Sequence, residues 1–358
     1  MLVRITFGMI VLNGEPFTRY NLRSLYPWAH QIIVVEGACN TSKTIATPDG
    51  HSIDCTLQVL RRFQAEEDFE HKVIVVSARD EGFDDGFWPE KTEMCQAFAK
   101  RATGTYLWQI DSDEFYREED MPLILKLLEE GVGQISFHQK SFWGGNQHVN
   151  NSFFLAEFGL GGIPRVFAWG KGHQYISHRP ATVVDAEHRD VRTRGYISSR
   201  RSRGLGIYMY HYCLVFPSQV LTKIGYYGVN SSAKREQKGG FSSTIISWHE
   251  SNFKHITHPF QLHNVSGGLS WIRPFRGSQP EQVEKMMADI RDGLLPFELR
   301  KTVDIETLMS SRYYRIVTLA MDVIVSIATS TICYPLFRIG RGGYNYLKKK
   351  ARILIFQG

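Results

Sequence analysis

Cysteine is sparse in this chain, and the five that occur, Cys39, Cys55, Cys95, Cys213 and Cys333, never form a CxxC pair. That spacing excludes a cysteine-based zinc site, and an odd set of scattered thiols fits a reduced, cytosolic compartment. Internal repeats and low-complexity tracts are also missing. Net charge is nearly absent from the body. Residues 313–358 carry Arg315, Arg338, Arg341, Lys348, Lys349, Lys350 and Arg352 against Asp322 alone, and removing these seven bases and one acid from the totals of 42 and 36 leaves 35 of each. A neutral body argues against binding nucleic acid through net charge, and a basic tail calls for an acidic partner. The apolar opening run lacks a cleavage site of small residues and leads into Asn13-Gly14-Glu15. It is expected to be a buried first strand rather than a signal peptide.

What is present suffices for a sizeable core: 358 residues, 43% hydrophobic and 22% charged. Ile5 to Leu12, Gln31 to Glu36 and Lys72 to Ser77 are short apolar runs without alternation, as expected of parallel strands covered on both faces. Helices are expected over 16–26, 56–65, 88–102 and about 120–130, with loop chemistry over 39–54. Strands are expected at 106–110, near 133–139 and at 164–169. Residues 188–203, with six arginines among glycine and serines, suit a mobile basic loop. The organisation expected is a nucleotide-binding half over 1–115, an acceptor-binding half over 116–310 and a basic amphipathic segment over 311–358.

The strand at 106–110 ends in Asp111-Ser112-Asp113-Glu114. Open α/β sheets bind ligands beyond the carboxyl ends of their strands, and residues i and i+2 of a strand point to one side. Asp111 and Asp113 can therefore present their carboxylates together. Paired carboxylates suit a hard divalent ion, Mn²⁺ or Mg²⁺, clamped on a diphosphate. The plain alternative is a solvated acidic turn.

These pieces, in this order, resemble the GT-A glycosyltransferases, most closely the family 2 type with a nucleotide-sugar donor. Phe7 to Glu15 is similar to that family's first strand and turn, Gln31 to Glu36 to its second strand, and Gln96 to Tyr106 to the helix and turn before the metal motif. Asp111-Ser112-Asp113-Glu114 matches the motif itself. Pro164-Arg165-Val166-Phe167 resembles an Arg-Leu-Phe segment and Met209-Tyr210-His211-Tyr212 a histidine segment. The resemblance covers roughly residues 1 to 230 and implies a GT-A (Rossmann-like) α/β fold, a mostly parallel sheet flanked by helices. It implies donor contacts at Asn13, Glu36, Gln96, Asp111 and Ser112, and a metal held by Asp111, Asp113 and His211. Inversion at the transferred sugar is also implied by the resemblance. Two departures stand out. Cys95-Gln96 replaces an Arg-Asn of many members, so Lys91 is the cation expected to take over. His178-Arg179 replaces a His-Glu pair, so the expected base moves to Asp185 or Glu187, with Glu250 as an outside choice; the plain reading of these acids is surface charge.

His211 lies in an aromatic run, so it reads either as a packed histidine or as a metal ligand. Trp143 with Asn146 reads either as a sugar platform in the acceptor site or as a core aromatic at a turn. Residues 316–336 are largely apolar, with Thr318, Asp322, Ser326, Thr329 and Ser330 at helical spacing opposite Ile316, Leu319, Val323, Ile324 and Ile327. This pattern predicts a helix in the membrane interface, ended by Pro335 and followed by bases and tyrosines suited to anionic headgroups. A helix covering the domain's own core is the alternative.

The sequence thus predicts a metal-dependent glycosyltransferase on the cytoplasmic membrane face, peripheral or monotopic. It takes a nucleotide-diphosphate sugar and a glycan or lipid-linked acceptor; no nucleic acid is expected, and a homo-oligomer is compatible. The rivals are a nucleotidyltransferase on a similar fold, against which the lack of a glycine-rich phosphate loop speaks, and a non-enzymatic membrane adaptor.

Overall fold

The computed structural model describes residues 2–152, 155, 162–178, 180–223, 253–258, 260 and 270–330. Four parallel strands, β1 (Ile5–Val11), β2 (Ala29–Glu36), β3 (Val73–Val76) and β4 (Tyr106–Asp111), lie in the order β3-β2-β1-β4. Beyond β4 the sheet turns antiparallel. It continues through β8 (Ile163–Ala168), β6 (Gln134–Trp143), β7 (His148–Ser152) and β13 (Ser270–Pro274). Strand β12 (Tyr208–Leu214) runs parallel to β6 and antiparallel to the two-residue β5 (Glu114–Phe115), so the sheet passes through the expected 115/116 boundary. Strand β11 (Tyr196–Ile197) adds to β6, and β9 (Gln174–His178) with β10 (Ala181–Val184) forms a separate hairpin.

The unbroken apolar run of β2 is explained by what covers it. Ile32 and Val34 pack on one side with residues of α1 (Phe17–Leu25) and α2 (Thr56–Glu66), including Leu22, Leu60 and Phe63. Ile33 and Val35 pack on the other with Met94, Cys95 and Phe98 of α3 (Lys91–Ala99). Both faces being dry, alternation has no purpose. Gly8 on β1 lets α3 come close: a Cβ there would stand 2.5 Å from the Phe98 ring. The core of the second half is largely aromatic, with Phe142 stacked on Tyr212 at 4.4 Å and α6 (Glu281–Arg291) packed beside them after α4 (Met121–Glu129) and α5 (Ser199–Gly204).

Two expected features differ. The helix expected over 88–102 forms only at Lys91–Ala99, because Trp88 is drawn into the core and its indole N–H donates to the Glu36 carbonyl at 3.1 Å. The expected mobile loop at 188–203 is ordered. Asp185 receives Arg189 and Arg194, Asp190 receives Arg192, and the Ser198 hydroxyl caps α5. The arginines neutralise local acids, which ties the segment down.

After α7 (Val303–Ser310) comes α8 (Arg312–Thr329), started by the Ser311 hydroxyl accepting from the Tyr314 N–H. Part of its polar stripe faces inward, with Thr318 buried and Asp322 paired with Arg273, while Ser326 is exposed. Its apolar face is turned out, with Ile316 68% and Leu319 63% exposed and Val323, Ile324 and Ile327 exposed beside them. The helix also packs on the core of the domain, through Tyr314 beside Ile272 and through Val325 and Met321 beside Trp271. Among the described residues no helix is long and apolar enough to cross a membrane. Pro335 and the bases and tyrosines after it lie outside the described residues.

Candidate functional site

A cavity of about 660 Å³ opens beyond the carboxyl ends of β1 and β4. Asn13, Lys91, Asp111, Ser112, Asp113 and His211, expected in separate roles, all line it. Asn13 sits in the left-handed region at φ 54°, which its short amide side chain tolerates. That side chain donates to the Ile45 carbonyl at 2.8 Å and accepts from the Ile53 N–H at 2.8 Å, fastening the 45–53 loop over the end of β1. Lys91 opens α3, the helix end where the backbone dipole disfavours a cation and favours an anion.

Strand β4 ends at Asp111 and the chain turns through Ser112 and Asp113, which gives the two aspartates different surroundings. The Asp111 carboxylate meets Arg165 at 3.4 Å. Asp113 faces Lys223 at 3.1 Å, Gln219 at 3.3 Å and His211 Nε2 at 3.4 Å. Burial on its own would raise the Asp113 pKa, but Lys223 and His211 more than offset it and hold the group below the usual carboxylate range. His211 is pushed well above its ordinary value; burial opposes this, and Cys213 and Asp113 outweigh it. Its Nδ1 meets the Gln139 amide at 2.6 Å.

Behind the turn, Glu114 is buried in a two-pronged pair with Arg165, at 2.8 and 2.5 Å, and accepts from the Asp111 N–H at 3.2 Å. Burial raises the Glu114 pKa, with Arg165 opposing and Asp111 adding to the rise. Glu15 lines the cavity too. Its Oε1 is buried without a hydrogen-bond partner, and burial pushes its pKa up to about 7. Arg165, Lys223, Gln139 and Glu15 were not singled out as site residues in the sequence. Only Arg165, inside its Pro-Arg-Val-Phe segment, carried a usable signal.

Several expected site residues lie elsewhere. Glu36, expected at the nucleoside, is fully buried outside the cavity lining, accepting from the Ser52 N–H at 2.8 Å and meeting His51 Nδ1 at 2.6 Å; it anchors the loop beneath the site. Gln96 points to the hairpin and donates to the Tyr175 carbonyl. Trp143 is buried between Phe253 and the Arg300 guanidinium, which lies 4.9 Å from its ring, so no sugar can stack on it. The Asn146 carbonyl accepts from Gln279, outside the cavity lining. Asp185 caps the N–H groups of Glu187 and Arg189, and hydrogen bonds outweigh desolvation to hold its carboxyl below the usual range. Glu187 is exposed and paired with Arg189. Neither is among the residues that line the cavity. His178 lies against Cys95 and Gln109 in the core; Arg179 and Glu250 lie outside the described residues.

Among the described residues no three His, Cys, Asp or Glu side chains converge as a preformed metal centre. The donor chemistry nevertheless fits a hard divalent ion: two carboxylates and an imidazole line one cavity, and the 3.4 Å between Asp113 Oδ1 and His211 Nε2 is a spacing that two ligands of one ion can adopt. Metal binding takes the imidazole in its neutral form and so works against the upward pKa shift of His211.

No family model and no curated protein matches the sequence. Among solved structures, S. aureus TarS 1-349 in complex with UDP-GlcNAc is similar at 15% identity and a TM-score of 0.33, covering 46% of this chain and 45% of that one. Glucosyl-3-phosphoglycerate synthase from Mycobacterium tuberculosis, in complex with Mn²⁺, UDP-glucose and phosphoglyceric acid, is similar at 19% identity and a TM-score of 0.27, covering 39% and 44%. The match thus spans less than half the length of these solved chains.

Proposed function

We propose that this chain is a GT-A type glycosyltransferase whose donor, a nucleotide-diphosphate sugar, occupies the cavity beyond the carboxyl ends of β1 and β4. The observation that carries the reading is the meeting of Asp111, Ser112 and Asp113 with Asn13, Lys91 and His211 in one cavity beyond the carboxyl ends of parallel strands. Asp111, Asp113 and His211 would hold Mn²⁺ or Mg²⁺, which when bound supplies charge to stabilise the departing diphosphate. Lys91 and Lys223 line the same cavity and add fixed positive charge to it. Arg165 keeps Asp111 in place by gripping both it and Glu114. In the reaction an acceptor oxygen bonds to the anomeric carbon, the bond from that carbon to the diphosphate oxygen breaks, and the acceptor proton passes to a base; inversion rests on the family resemblance.

The outward apolar face of α8 and the basic sequence after it support peripheral association with an anionic membrane surface. Each Lys or Arg near such a surface contributes about 1 kcal/mol, and the exposed isoleucines, leucine and valine of α8 add apolar insertion.

Release of nucleoside diphosphate from a panel of nucleotide sugars tests the enzymatic reading. Turnover by the wild type, lost in Asp113→Asn with an unchanged circular dichroism spectrum, is the expected result. Release by neither protein with any donor would remove the transferase reading and leave the adaptor; equal release by the variant would remove Asp113 from the proposed mechanism.

A further inference from the structure

A second cavity, of about 560 Å³, is walled by β6, β7, β13 and the inner side of α8. Strand β6 contributes to both cavities: Gln139 lines the first, and His138, Lys140 and Ser141 line the second. The two cavities share one lining residue, Leu155, whose carbonyl meets His138 Nε2 at 3.2 Å. The two cavities adjoin at Leu155 and otherwise have different linings.

Its lining carries three cations, Lys140, Arg273 and Arg276, against one carboxylate, Asp322. Asp322 is matched by Arg273, which also donates to the Thr318 carbonyl at 3.2 Å. The Lys140 ammonium stands 4.1 Å from the Tyr208 ring centroid and 5.0 Å from that of Phe275, and these aromatic faces favour holding the charge inside the cavity. Buried Ser141 and Asn150 bring polar groups to the same wall. Lysine and arginine in a walled cavity with hydroxyl and amide partners form a set that recognises phosphate.

We propose that this cavity binds a phosphate group, and that the group is the head of an anionic phospholipid. The lipid source follows from α8. Asp322 and Val325 of that helix line the cavity, while Ile316, Leu319, Val323, Ile324 and Ile327 of the same helix are exposed. One helix diameter, about 10–12 Å, separates the phosphate-binding wall from an apolar surface. The inference stands apart from the glycosyl-transfer reading, since no cation of this cavity lines the donor site.

The test uses the full chain, as wild type, Arg276→Gln and Lys140→Gln. Cosedimentation is measured with phosphatidylcholine vesicles with and without phosphatidic acid, and soluble binding by calorimetry with glycerol 3-phosphate. Retention on the phosphatidic acid vesicles is expected, weakened about tenfold in each variant by the loss of one charge-assisted contact. Glycerol 3-phosphate binding with the same dependence on the two residues, without vesicle retention, would uphold the phosphate site and overturn its lipid source. Binding of neither probe, or vesicle retention unchanged in both variants, overturns the proposal. Arg276 is exposed, so its replacement leaves the fold intact and keeps the test decisive should Lys140→Gln fail to fold. A nucleotide titration of each variant, expected unchanged, separates this result from the fate of the donor reading.

Discussion

Arg165 binds Glu114 through both prongs of its guanidinium, Nε at 2.8 Å and Nη2 at 2.5 Å, in the buried interior beneath the Asp111 turn. The pair joins β8 to β5, and Nη2 reaches on to Asp111 at 3.4 Å. Breaking one side of a buried pair leaves an uncompensated charge. Arg165→Ala is expected to cost about 3–5 kcal/mol in urea denaturation, and Arg165→Met combined with Glu114→Leu to recover much of that loss. The double variant should still fail to bind nucleotide, because Asp111 loses the group that positions it.

Glu15 predicts a pH dependence. Its native carboxyl ionises at about 7 and its ordinary value is 4.5, so between these values the native state holds a proton that the unfolded chain has released. Stability should fall as pH rises through that window and level off above it. Glu15→Gln should flatten the window and raise stability at pH 8 by about 1–3 kcal/mol. Donor affinity should also drop above pH 7 in the wild type, when the ionised carboxylate faces a diphosphate, and not in Glu15→Gln. Calorimetric titration at pH 6 and pH 8 checks both proteins.

Lys223 and Asp113 are expected to separate in their effects on the donor. Lys223→Met removes a cation from the cavity and should weaken nucleotide-sugar binding about tenfold to a hundredfold, as expected for a hydrogen bond to a charged group. Asp113→Asn should leave nucleotide affinity in the absence of metal unchanged or improved, since it removes a negative charge, and should abolish any gain on adding Mn²⁺. Parallel titrations with and without metal distinguish the two patterns.

On α8, Leu319→Glu and Ile324→Glu alter exposed positions and should change stability by no more than about 0.5 kcal/mol. Vesicle cosedimentation should fall sharply in both. Unaltered cosedimentation would remove α8 from the membrane contact.

The parallel strands were legible because burial on both faces writes itself into sequence as an unbroken β-branched run, as at Ile32 to Val35. The position of Asp111 and Asp113 was legible for a related reason: a strand's end fixes where its next residues emerge. Their partners were not. Arg165 is 54 residues from Asp111, and Lys223 is 110 from Asp113; nothing local announces such pairings. Glu36 shows the limit of the strand-end rule, since the loop carrying His51 and Ser52 folds over it and converts a ligand position into an anchor. Trp143 looked available because it precedes two glycines, yet a large aromatic at a strand end is worth more buried than exposed. The periodicity of α8 was visible; which face it turned inward depended on Arg273, across the fold, claiming Asp322.

The most direct test of the account is thermal stabilisation of the full chain by nucleoside diphosphates and their sugars, each with and without Mn²⁺, in the wild type and in Asp111→Asn and Asp113→Asn. Ligand that binds the native state alone raises the melting temperature by an amount that grows with the logarithm of its concentration relative to its Kd. The account predicts a shift for one nucleotide class, enlarged by Mn²⁺, with the metal-dependent part lost in both variants. A folded wild type that shifts with no nucleotide, or a metal-dependent shift that survives in both variants, would contradict the assignment of the cavity beyond the carboxyl ends of β1 and β4 as the donor site.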